Sequence, residues 1–292
     1  MRNVNVNKLQ NQQSCQTSVM VSADLINKIH NENCLETMAK MPDDFIDLTV
    51  TSPPYDGLRD YNGYSFQFED IAKELYRVTK QGGVVVWVVC DSTIKGSETG
   101  TSFKQALYFK ECGFNLHDTM FYKKKTYGPV DSRQYRYANV IEYMFVFSKG
   151  KPKTFNKLTQ LKSEKTLQRQ KHKSGGNRRK PNGEMRSIGG LSDSNYKMRE
   201  NVWEYVNGGN YANDSYALKH PAVFPEQLVQ DHIISWSNEG DLVYDPFMGS
   251  GTVAKMSILN NRNWIGSEIS SEYCEIIKER VKIDKGLFEN ES

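Results

Sequence analysis

The chain has 292 residues, of which 38% are hydrophobic, 25% charged and 11% aromatic, a composition that excludes a disordered polypeptide and allows a full core. No apolar run is long enough to cross a bilayer and the first residues have no signal-peptide core, so we expect a cytoplasmic protein with no membrane partner. The five cysteines are scattered and form no Cys-x-x-Cys pair, which argues against a disulfide framework and against a metal site.

The formal net charge of +3 hides a strong asymmetry along the chain. Residues 149–180 contain twelve Lys or Arg and one acid, Glu164, so this segment carries +11 and the remainder carries −8. A single positive segment on an acidic body indicates a polyanionic partner, although a solvated basic linker is the alternative.

The first elements lead to a short apolar run that ends at two prolines. Residues 1–20 are rich in Asn, Gln and Ser and predict a flexible arm. A short strand at Ile26–His30 and a short helix containing Cys34 to Met41 precede the run Phe45–Val50, which predicts a buried strand.

The stretch that ends this strand is Thr51-Ser52-Pro53-Pro54-Tyr55. Both prolines fix φ and lack an N–H donor, so we expect a rigid loop that offers a hydroxyl, bare carbonyls and an aromatic ring. Taken alone, the loop is equally consistent with a purely structural end to the strand.

The elements that follow alternate between helix and strand. We expect them at these positions: a helix at Phe68–Lys80 stopped by Gly82-Gly83, a strand at Val84–Val89, a helix at Ser102–Cys112, and strands at Leu116–Tyr122 and Ile141–Phe147. The β-branched run Val84–Val89 indicates a strand that is buried on both faces, as in a parallel sheet covered by helices.

After the basic segment the alternation resumes, with a helix at Pro225–Ser235, a strand at Asp241–Tyr244, a Gly-rich turn at Asp245–Thr252, a helix to Leu259, a strand at Trp264–Glu268 and a terminal helix at Ser271–Ile283. The whole pattern predicts an α/β fold with a doubly wound, mostly parallel sheet.

The Gly-rich turn and the next strand end predict a nucleoside-binding site. Gly249 and Gly251 allow the backbone to approach a ligand closely, and the following helix begins with free N–H groups. Glu268 ends the next strand, where an acid can accept hydrogen bonds from both ribose hydroxyls. A tight turn beside a solvated acid is the alternative.

The two loops together resemble the amino-methyltransferases of DNA, which transfer a methyl group from S-adenosyl-L-methionine to an exocyclic amine. The resemblance rests on Val50–Tyr55 and Asp245–Thr252, and extends to Leu75–Gly83 and Lys219–Pro225, so it covers most of the chain from about residue 28. The order of acceptor loop, basic region and cofactor turn is similar to that of their beta group.

The resemblance implies a Rossmann-like methyltransferase fold with a basic target-recognition insert. It divides the chain into a flexible arm (1–20), the catalytic half (21–148), the target-recognition region (149–200) and the cofactor-binding half (201–292). The implied catalytic residues are Ser52, Pro53, Pro54 and Tyr55. The implied cofactor-binding residues are Asn33, Thr51, His220, Phe224, Pro225, Asp245, Phe247, Gly249, Ser250, Gly251, Thr252 and Glu268. Relatives often have Gly-Asp-Cys where this chain has Glu32-Asn33-Cys34, and Asn33 could still hydrogen-bond the adenine edge.

The implied reaction is methylation of a base in double-stranded DNA, after that base has left the stack. Methylation at a ring carbon of cytosine needs a Pro-Cys nucleophile, and none of the five cysteines follows a proline. Ser52 resembles the cytosine-N4 enzymes, and adenine-N6 methylation is the alternative, because Asp is commoner at this position among adenine-N6 enzymes. A catalytically silent nucleic-acid-binding protein of the same fold is a third possibility.

The basic residues in and before the insert predict the DNA surface, since Lys and Arg supply backbone affinity. The candidates are Lys123, Lys124, Lys125, Arg133, Arg136, Lys171, Lys173, Arg178, Arg179 and Lys180. A cognate restriction endonuclease and a second copy of the chain are further partners that the resemblance allows, within a bacterial, phage or archaeal cell.

Overall fold

A computed structural model describes residues 24–54, 66–125, 135–171, 176–188, 194–206 and 224–289. These residues form two compact units. One comprises the described residues as far as Asn156 together with those from Asn201, and the other is Lys157–Glu200. Within the described ranges no helix is long and apolar enough to span a membrane, and no cluster of His, Cys, Asp and Glu could hold a metal ion.

The strands and helices alternate through most of the chain. The strands are β1 (Lys28–His30), β2 (Ile46–Thr51), β3 (Thr79–Val89), β4 (Thr93–Ile94), β5 (Ser97–Glu98), β6 (Asn115–Lys124), β7 (Ile141–Ser148), β8 (Thr159–Leu161), β9 (Gly176–Arg179), β10 (Met185–Ile188), β11 (Tyr196–Met198), β12 (Val202–Tyr205), β13 (Leu242–Asp245) and β14 (Asn263–Ser267). The helices are α1 (Cys34–Ala39), α2 (Phe68–Val78), α3 (Thr101–Glu111), α4 (Glu164–Lys171), α5 (Glu226–Trp236), α6 (Thr252–Leu259) and α7 (Ser271–Glu289).

One eight-stranded sheet organises the larger unit, in the spatial order β1-β14-β13-β2-β3-β7-β6-β12. Every strand runs in the same direction except β7, which is antiparallel to both β3 and β6. The predicted doubly wound, mostly parallel sheet is therefore confirmed. Strand β12, which the sequence pattern did not reveal as a separate element, extends the edge beside β6.

The core lies on the two faces of the central strand β3. Its residues Val84 to Val89 are all buried, as expected for a strand covered on both sides. Trp87 on one face meets Phe109 of α3, with ring centroids 5.1 Å apart, and Phe109 stacks on Phe147 of β7 at 4.5 Å. The Trp87 Nε1–H donates to Gln105 Oε1 at 2.9 Å, so the polar atom of this buried ring is satisfied.

The prediction that Gly82-Gly83 stop the preceding helix is wrong. Helix α2 ends at Val78, where the Thr79 hydroxyl bonds back to the Leu75 carbonyl at 2.6 Å, and β3 begins at once. The glycines instead allow the backbone near the start of β3 to lie close to the segment that contains Lys153. Gly82 has φ +79°, and a Cβ there would lie 2.9 Å from Lys153 Cβ.

The basic segment is divided between the two units. Lys149 is buried in the larger unit, where its ammonium group donates to Asp44 Oδ1 at 2.8 Å and to the Tyr76 carbonyl at 2.9 Å. The smaller unit begins only at Lys157. It contains α4 and two antiparallel strand pairs, β8 with β11 and β9 with β10.

Candidate active site

Three neighbouring strands, β2, β13 and β14, end at the same edge of the sheet. Thr51 ends β2, Asp245 ends β13, and Glu268 directly follows β14. Strand β13 pairs with both of the others in parallel, so the loops that leave these strands are adjacent. The open carboxyl edge of such a sheet is where α/β folds bind their ligands.

A buried hydrogen bond joins the first two of these loops. The Thr51 hydroxyl donates to Asp245 Oδ1 at 2.6 Å, and the same carboxylate oxygen accepts from the Phe247 N–H at 3.0 Å. Burial raises the pKa of Asp245 to about 7, and the hydrogen bond from Thr51 opposes that rise. Asp245 is 2% exposed, so the carboxyl group fixes the two loops to each other.

Glu268 links the Gly-rich turn to the end of β14. Its Oε2 accepts from the Gly249 N–H and its Oε1 from the Ser270 N–H, both at 2.8 Å. The side chain of Asn31, just after β1, donates to the Glu268 carbonyl at 2.9 Å. Burial raises the pKa of Glu268, while the backbone donors lower it. Two backbone donors thus fix the carboxylate at the strand end.

The Gly-rich turn requires its glycines at two places. Gly249 and Gly251 have φ of +53° and +85°, values that side chains other than glycine rarely adopt. A Cβ on Gly251 would also lie 3.0 Å from Ile277 Cγ1 of α7. Thr252 then begins α6, and its hydroxyl is buried without a hydrogen-bond partner in the described part of the chain.

The acceptor loop follows Thr51 directly. Pro53 is buried, whereas Ser52 and Pro54 are partly exposed at the carboxyl edge of the sheet. Tyr55 lies outside the described residues.

Phe247 and the segment before α5 bring further predicted cofactor residues into the larger unit. The Phe247 ring packs edge-on against Phe66 and Trp87, with centroid distances of 5.7 and 6.2 Å, so its orientation is fixed. Pro225 precedes the first residue of α5, and Phe224 is partly buried beside it. His220 lies outside the described residues.

Asn33 has a local structural role. Its Oδ1 accepts from the Leu35 N–H at 2.9 Å and so caps the start of α1. This use of the side-chain oxygen accounts for an amide at this position independently of any cofactor contact.

The profile of the N6/N4 methyltransferase family, described as DNA methylase, matches residues 46–279. This chain belongs to that family. The orphan methyltransferase M.BamHII of Bacillus amyloliquefaciens is 59% identical over 238 residues, which are 81% of this chain and 89% of the relative. The type II methyltransferase M.HpaI of Haemophilus parainfluenzae is 29% identical over 272 residues, 88% of this chain and 75% of its own.

Solved structures show the same fold at low sequence identity. The PvuII DNA methyltransferase, described as cytosine-N4-specific, superposes with a TM-score of 0.64 at 22% identity over 86% of this chain and 85% of its own. TTHA0409 of Thermus thermophilus, solved with S-adenosyl-L-methionine, has a TM-score of 0.59 at 20% identity over 88% and 93% of the two chains. The protein is therefore a DNA methyltransferase that uses S-adenosyl-L-methionine, as the sequence predicted.

The predicted DNA-contacting lysines and arginines of this methyltransferase differ in their surroundings. Lys124 forms an ion pair with Glu142 at 2.7 Å, and Lys123 lies 3.6 Å from Glu204. Arg136 contacts Glu98 and the Gly96 carbonyl of the β4–β5 hairpin. Within the larger unit these three side chains are thus engaged by protein groups, while Lys125 is exposed.

In the smaller unit, Arg178 and Arg179 are exposed on β9, and Lys180 pairs with Glu184 at 2.8 Å. Arg133, Lys173 and the side chain of Lys171 lie outside the described residues.

The sequence did not predict that a residue of α7 supports the Gly-rich turn. Arg280 of α7 is 2% exposed and donates to the carbonyl and hydroxyl oxygens of Ser250. Its other terminal nitrogen, Nη2, reaches Glu226. A signal was present in the sequence, because Arg280 follows Cys274 and Ile277 at intervals of three residues and so lies on an otherwise apolar helix face.

Proposed function

We propose that this methyltransferase transfers the methyl group of S-adenosyl-L-methionine to the N4 amine of a cytosine in a specific double-stranded DNA sequence. The observation that carries the choice of base is Ser52, which follows the anchored Thr51 and places a hydroxyl, instead of a carboxylate, at the first position of the acceptor loop. Serine at this position resembles the cytosine-N4 enzymes.

The chemistry requires acceptors for the amine hydrogens. The lone pair of an exocyclic amine is delocalised into the ring, so the nitrogen must move towards sp³ geometry before it can attack the sulfonium methyl. The hydroxyl of Ser52 and the carbonyl of Pro53 are our candidates for acceptors. Prepositioned dipoles are most effective when they need not reorganise, and Pro53 and Pro54 stiffen the loop that carries them.

The aromatic residue of the loop completes the proposed acceptor site. A base inside the duplex cannot present its amine to the cofactor, so the cytosine must flip out of the stack. We assign Tyr55 to stacking on the flipped base. Tyr55→Ala should then abolish methylation while calorimetry still detects cofactor binding, whereas loss of cofactor binding would contradict this assignment.

The cofactor is assigned to the turn at Gly249–Gly251 and to Glu268. The Glu268 carboxylate, oriented by two backbone N–H groups, is our candidate acceptor for the ribose hydroxyls. Glu268→Ala should weaken cofactor binding. An unchanged Kd would show that Glu268 does not contribute to cofactor binding.

Adenine-N6 methylation is the second candidate. The DNA adenine methyltransferase YhdJ of Escherichia coli is 39% identical to this chain, but over only 87 residues, which are 30% of the chain. Both bases present an amine beside a ring nitrogen, so the same loop could serve either.

Nucleoside mass spectrometry separates the candidates. The chain is expressed in a host that lacks DNA methyltransferases of its own, and plasmid DNA is digested to nucleosides. We expect N4-methylcytosine, and its loss in the Ser52→Ala variant. N6-methyladenine would instead establish the second candidate, and the absence of both modified bases would favour a silent nucleic-acid-binding protein.

The biological setting follows from the proposed reaction. An enzyme of this kind would act on DNA in the cytoplasm and would protect its sites from a cognate restriction endonuclease or act alone. The relative M.BamHII is named an orphan methyltransferase, which favours action without a partner nuclease. Size-exclusion chromatography with light scattering would test whether the chain forms the homodimer that its sequence allows.

A further inference from the structure

One face of helix α7 contacts the proposed cofactor site at three successive points. The Cys274 thiol donates to the Glu268 carbonyl, with a sulfur–oxygen distance of 3.5 Å. One turn further on, Ile277 lies against Gly251, and Arg280 then donates to the Ser250 carbonyl. Because these residues recur every three positions, they form a single stripe that supports both the turn and the acid at the end of β14.

Arg280 also connects this stripe to two other helices. Its Nη2 donates to Glu226 Oε1 at 3.0 Å, and Lys255 Nζ donates to the same oxygen at 2.9 Å. Glu226 is the first residue of α5 and follows Pro225, whereas Lys255 belongs to α6. The three charged side chains therefore link α5, α6 and α7 at the point where the Gly-rich turn meets α6.

Stability alone does not account for this buried arrangement. The side chains of Arg280, Lys255 and Glu226 are 1%, 10% and 13% exposed, so all three lose most of their hydration. Replacing a buried ion pair with packed apolar side chains is often neutral or stabilising. A planar guanidinium does offer something that an apolar side chain cannot, because its fixed donors hold two acceptors at a defined separation.

Those two acceptors belong to different parts of the proposed cofactor site. The Ser250 carbonyl lies between the two positive-φ glycines of the turn, and Glu226 directly follows the Phe224–Pro225 segment. We propose that Arg280 is a positioning residue that holds the Gly-rich turn and the start of α5 in the arrangement that binds S-adenosyl-L-methionine. This role rests on the assignment of the turn to the cofactor under the proposed function.

The test compares Arg280, which is buried, with Arg77, which is half-buried and has similar hydrogen-bond partners. Arg77 at the end of α2 also donates to backbone carbonyls, those of Met38 and Met41, and to a carboxylate, that of Glu74. Arg77 lies where α2 leads into β3, at the opposite edge of the sheet from the turn. The variants Arg280→Met and Arg77→Met therefore both lose hydrogen bonds that support backbone, but only the first affects the cofactor turn.

We expect Arg280→Met to raise the calorimetric Kd for S-adenosyl-L-methionine by about ten-fold or more, at a temperature where the variant is folded. KM for the cofactor should rise in parallel, and kcat at saturating cofactor should change by less than about three-fold, because the DNA acceptor loop is untouched. Arg77→Met should lower the thermal midpoint but leave the Kd within about two-fold of wild type. A wild-type Kd in Arg280→Met would overturn the proposal.

Arg280→Lys keeps the result decisive if the methionine variant does not fold. Its ammonium preserves the charge but cannot hold the same two acceptors in a planar fork, so its Kd should also rise, by a smaller factor. Binding equal to wild type in this folded variant would refute the positioning role. In contrast, wild-type protein that binds cofactor but leaves DNA cytosine unmodified would disprove only the proposed function.

Discussion

The Thr51 hydroxyl donates a 2.6 Å hydrogen bond to Asp245 Oδ1, and both side chains are buried. Thr51 precedes the acceptor loop, and Asp245 begins the Gly-rich turn, so a single contact between residues 194 positions apart fixes the two proposed substrate loops to each other. Under the proposed function, the alignment of methyl donor and methyl acceptor would depend on the geometry of this pair.

Replacing Thr51 with valine tests the contribution of this hydrogen bond, because valine keeps a buried side chain of similar shape and lacks the hydroxyl. Thr51→Val removes the donor and leaves Asp245 in a buried site with one hydrogen bond fewer, which should cost about 1–3 kcal/mol of unfolding free energy. Because the hydrogen bond lowers the pKa of Asp245, that pKa should rise further in the variant. Urea denaturation and single-turnover methylation both report the effect, and we expect a slower methyl transfer.

The same strand provides the matched control. Thr49 is also fully buried on β2, but its hydroxyl has no hydrogen-bond partner within the described ranges. Thr49→Val should therefore be neutral or slightly stabilising, because valine removes a polar group that burial leaves unsatisfied. Equal losses of stability in the two variants would mean that the Thr51–Asp245 hydrogen bond contributes little.

The buried Asp245 carboxyl group should make stability fall as pH rises. Its pKa is about 7 in the folded protein against 3.8 ordinarily, so between these values the folded state holds a proton that the unfolded state has lost. Unfolding free energy then decreases with pH across this window, by about 1.4 kcal/mol per pH unit at most. Above pH 7 this dependence ends, because both states are ionised.

Asp245→Asn isolates this contribution. Asparagine keeps an oxygen that can accept from Thr51 and Phe247 but does not titrate. Between pH 5 and pH 8 the wild type should lose stability relative to this variant in urea denaturation, while Glu268, whose pKa burial also raises, contributes to both proteins. A pH-independent difference between the two proteins would show that the folded pKa of Asp245 is near its ordinary value.

Hydrophobic patterns predicted most of the fold, and the strand-end motifs predicted where the loops of the candidate site leave the sheet. The β-branched run at Val84–Val89 and the turn at Gly249–Gly251 are local signals, and the structure places both where the sequence indicated. Strand β12 escaped notice because only Trp203 and Tyr205 of its four residues are buried, so the apolar pattern is short. The role of Gly82 could not be predicted because Lys153, which it approaches in space, is distant in sequence.

The supporting residues that the sequence did not predict make contacts with parts of the chain that are distant in sequence. Asn31 reaches the Glu268 carbonyl across more than 200 positions of the chain, and Arg280 joins Ser250 to Glu226. Neither residue belongs to a motif with fixed spacing. The charge pattern likewise could not show that Lys149 is buried against Asp44, because local sequence does not distinguish a buried ammonium from a DNA-contacting one.

The contact between Gly251 and α7 gives a further prediction. Alanine at Gly251, where φ is +85°, should cost about 1–2 kcal/mol in backbone strain and a further 1–3 kcal/mol, roughly, because its Cβ would press on Ile277. Gly240→Ala is the control, since Gly240 has φ +81° but nothing within 4 Å of the Cβ position. The difference in unfolding free energy between the two variants, measured by urea denaturation, gives the cost of the contact with Ile277. Equal losses of stability would show that the Ile277 side chain moves aside at no cost.

The smaller unit provides a test of DNA binding. In the β9–β10 hairpin Arg178 lies directly opposite Arg186, and both are exposed. Like charges at opposed positions of a strand pair disfavour the hairpin, whereas a polyanion lying across them removes the repulsion. We therefore predict that this arginine pair contacts the phosphate backbone of DNA.

Each arginine that neutralises a phosphate contributes about one unit to the slope of log K against log salt. Arg178→Ala and Arg186→Ala should each weaken DNA binding and reduce that slope by about one, as measured by fluorescence anisotropy at several salt concentrations. Lys282→Ala removes the same charge from an exposed pair with Glu279 on α7 and should leave the slope unchanged. An unaltered slope in both arginine variants would exclude the hairpin from the DNA surface. If Arg178 also reads a base edge, its variant should in addition methylate sites that differ from the recognition sequence at one position, because direct readout and phosphate contact are lost together.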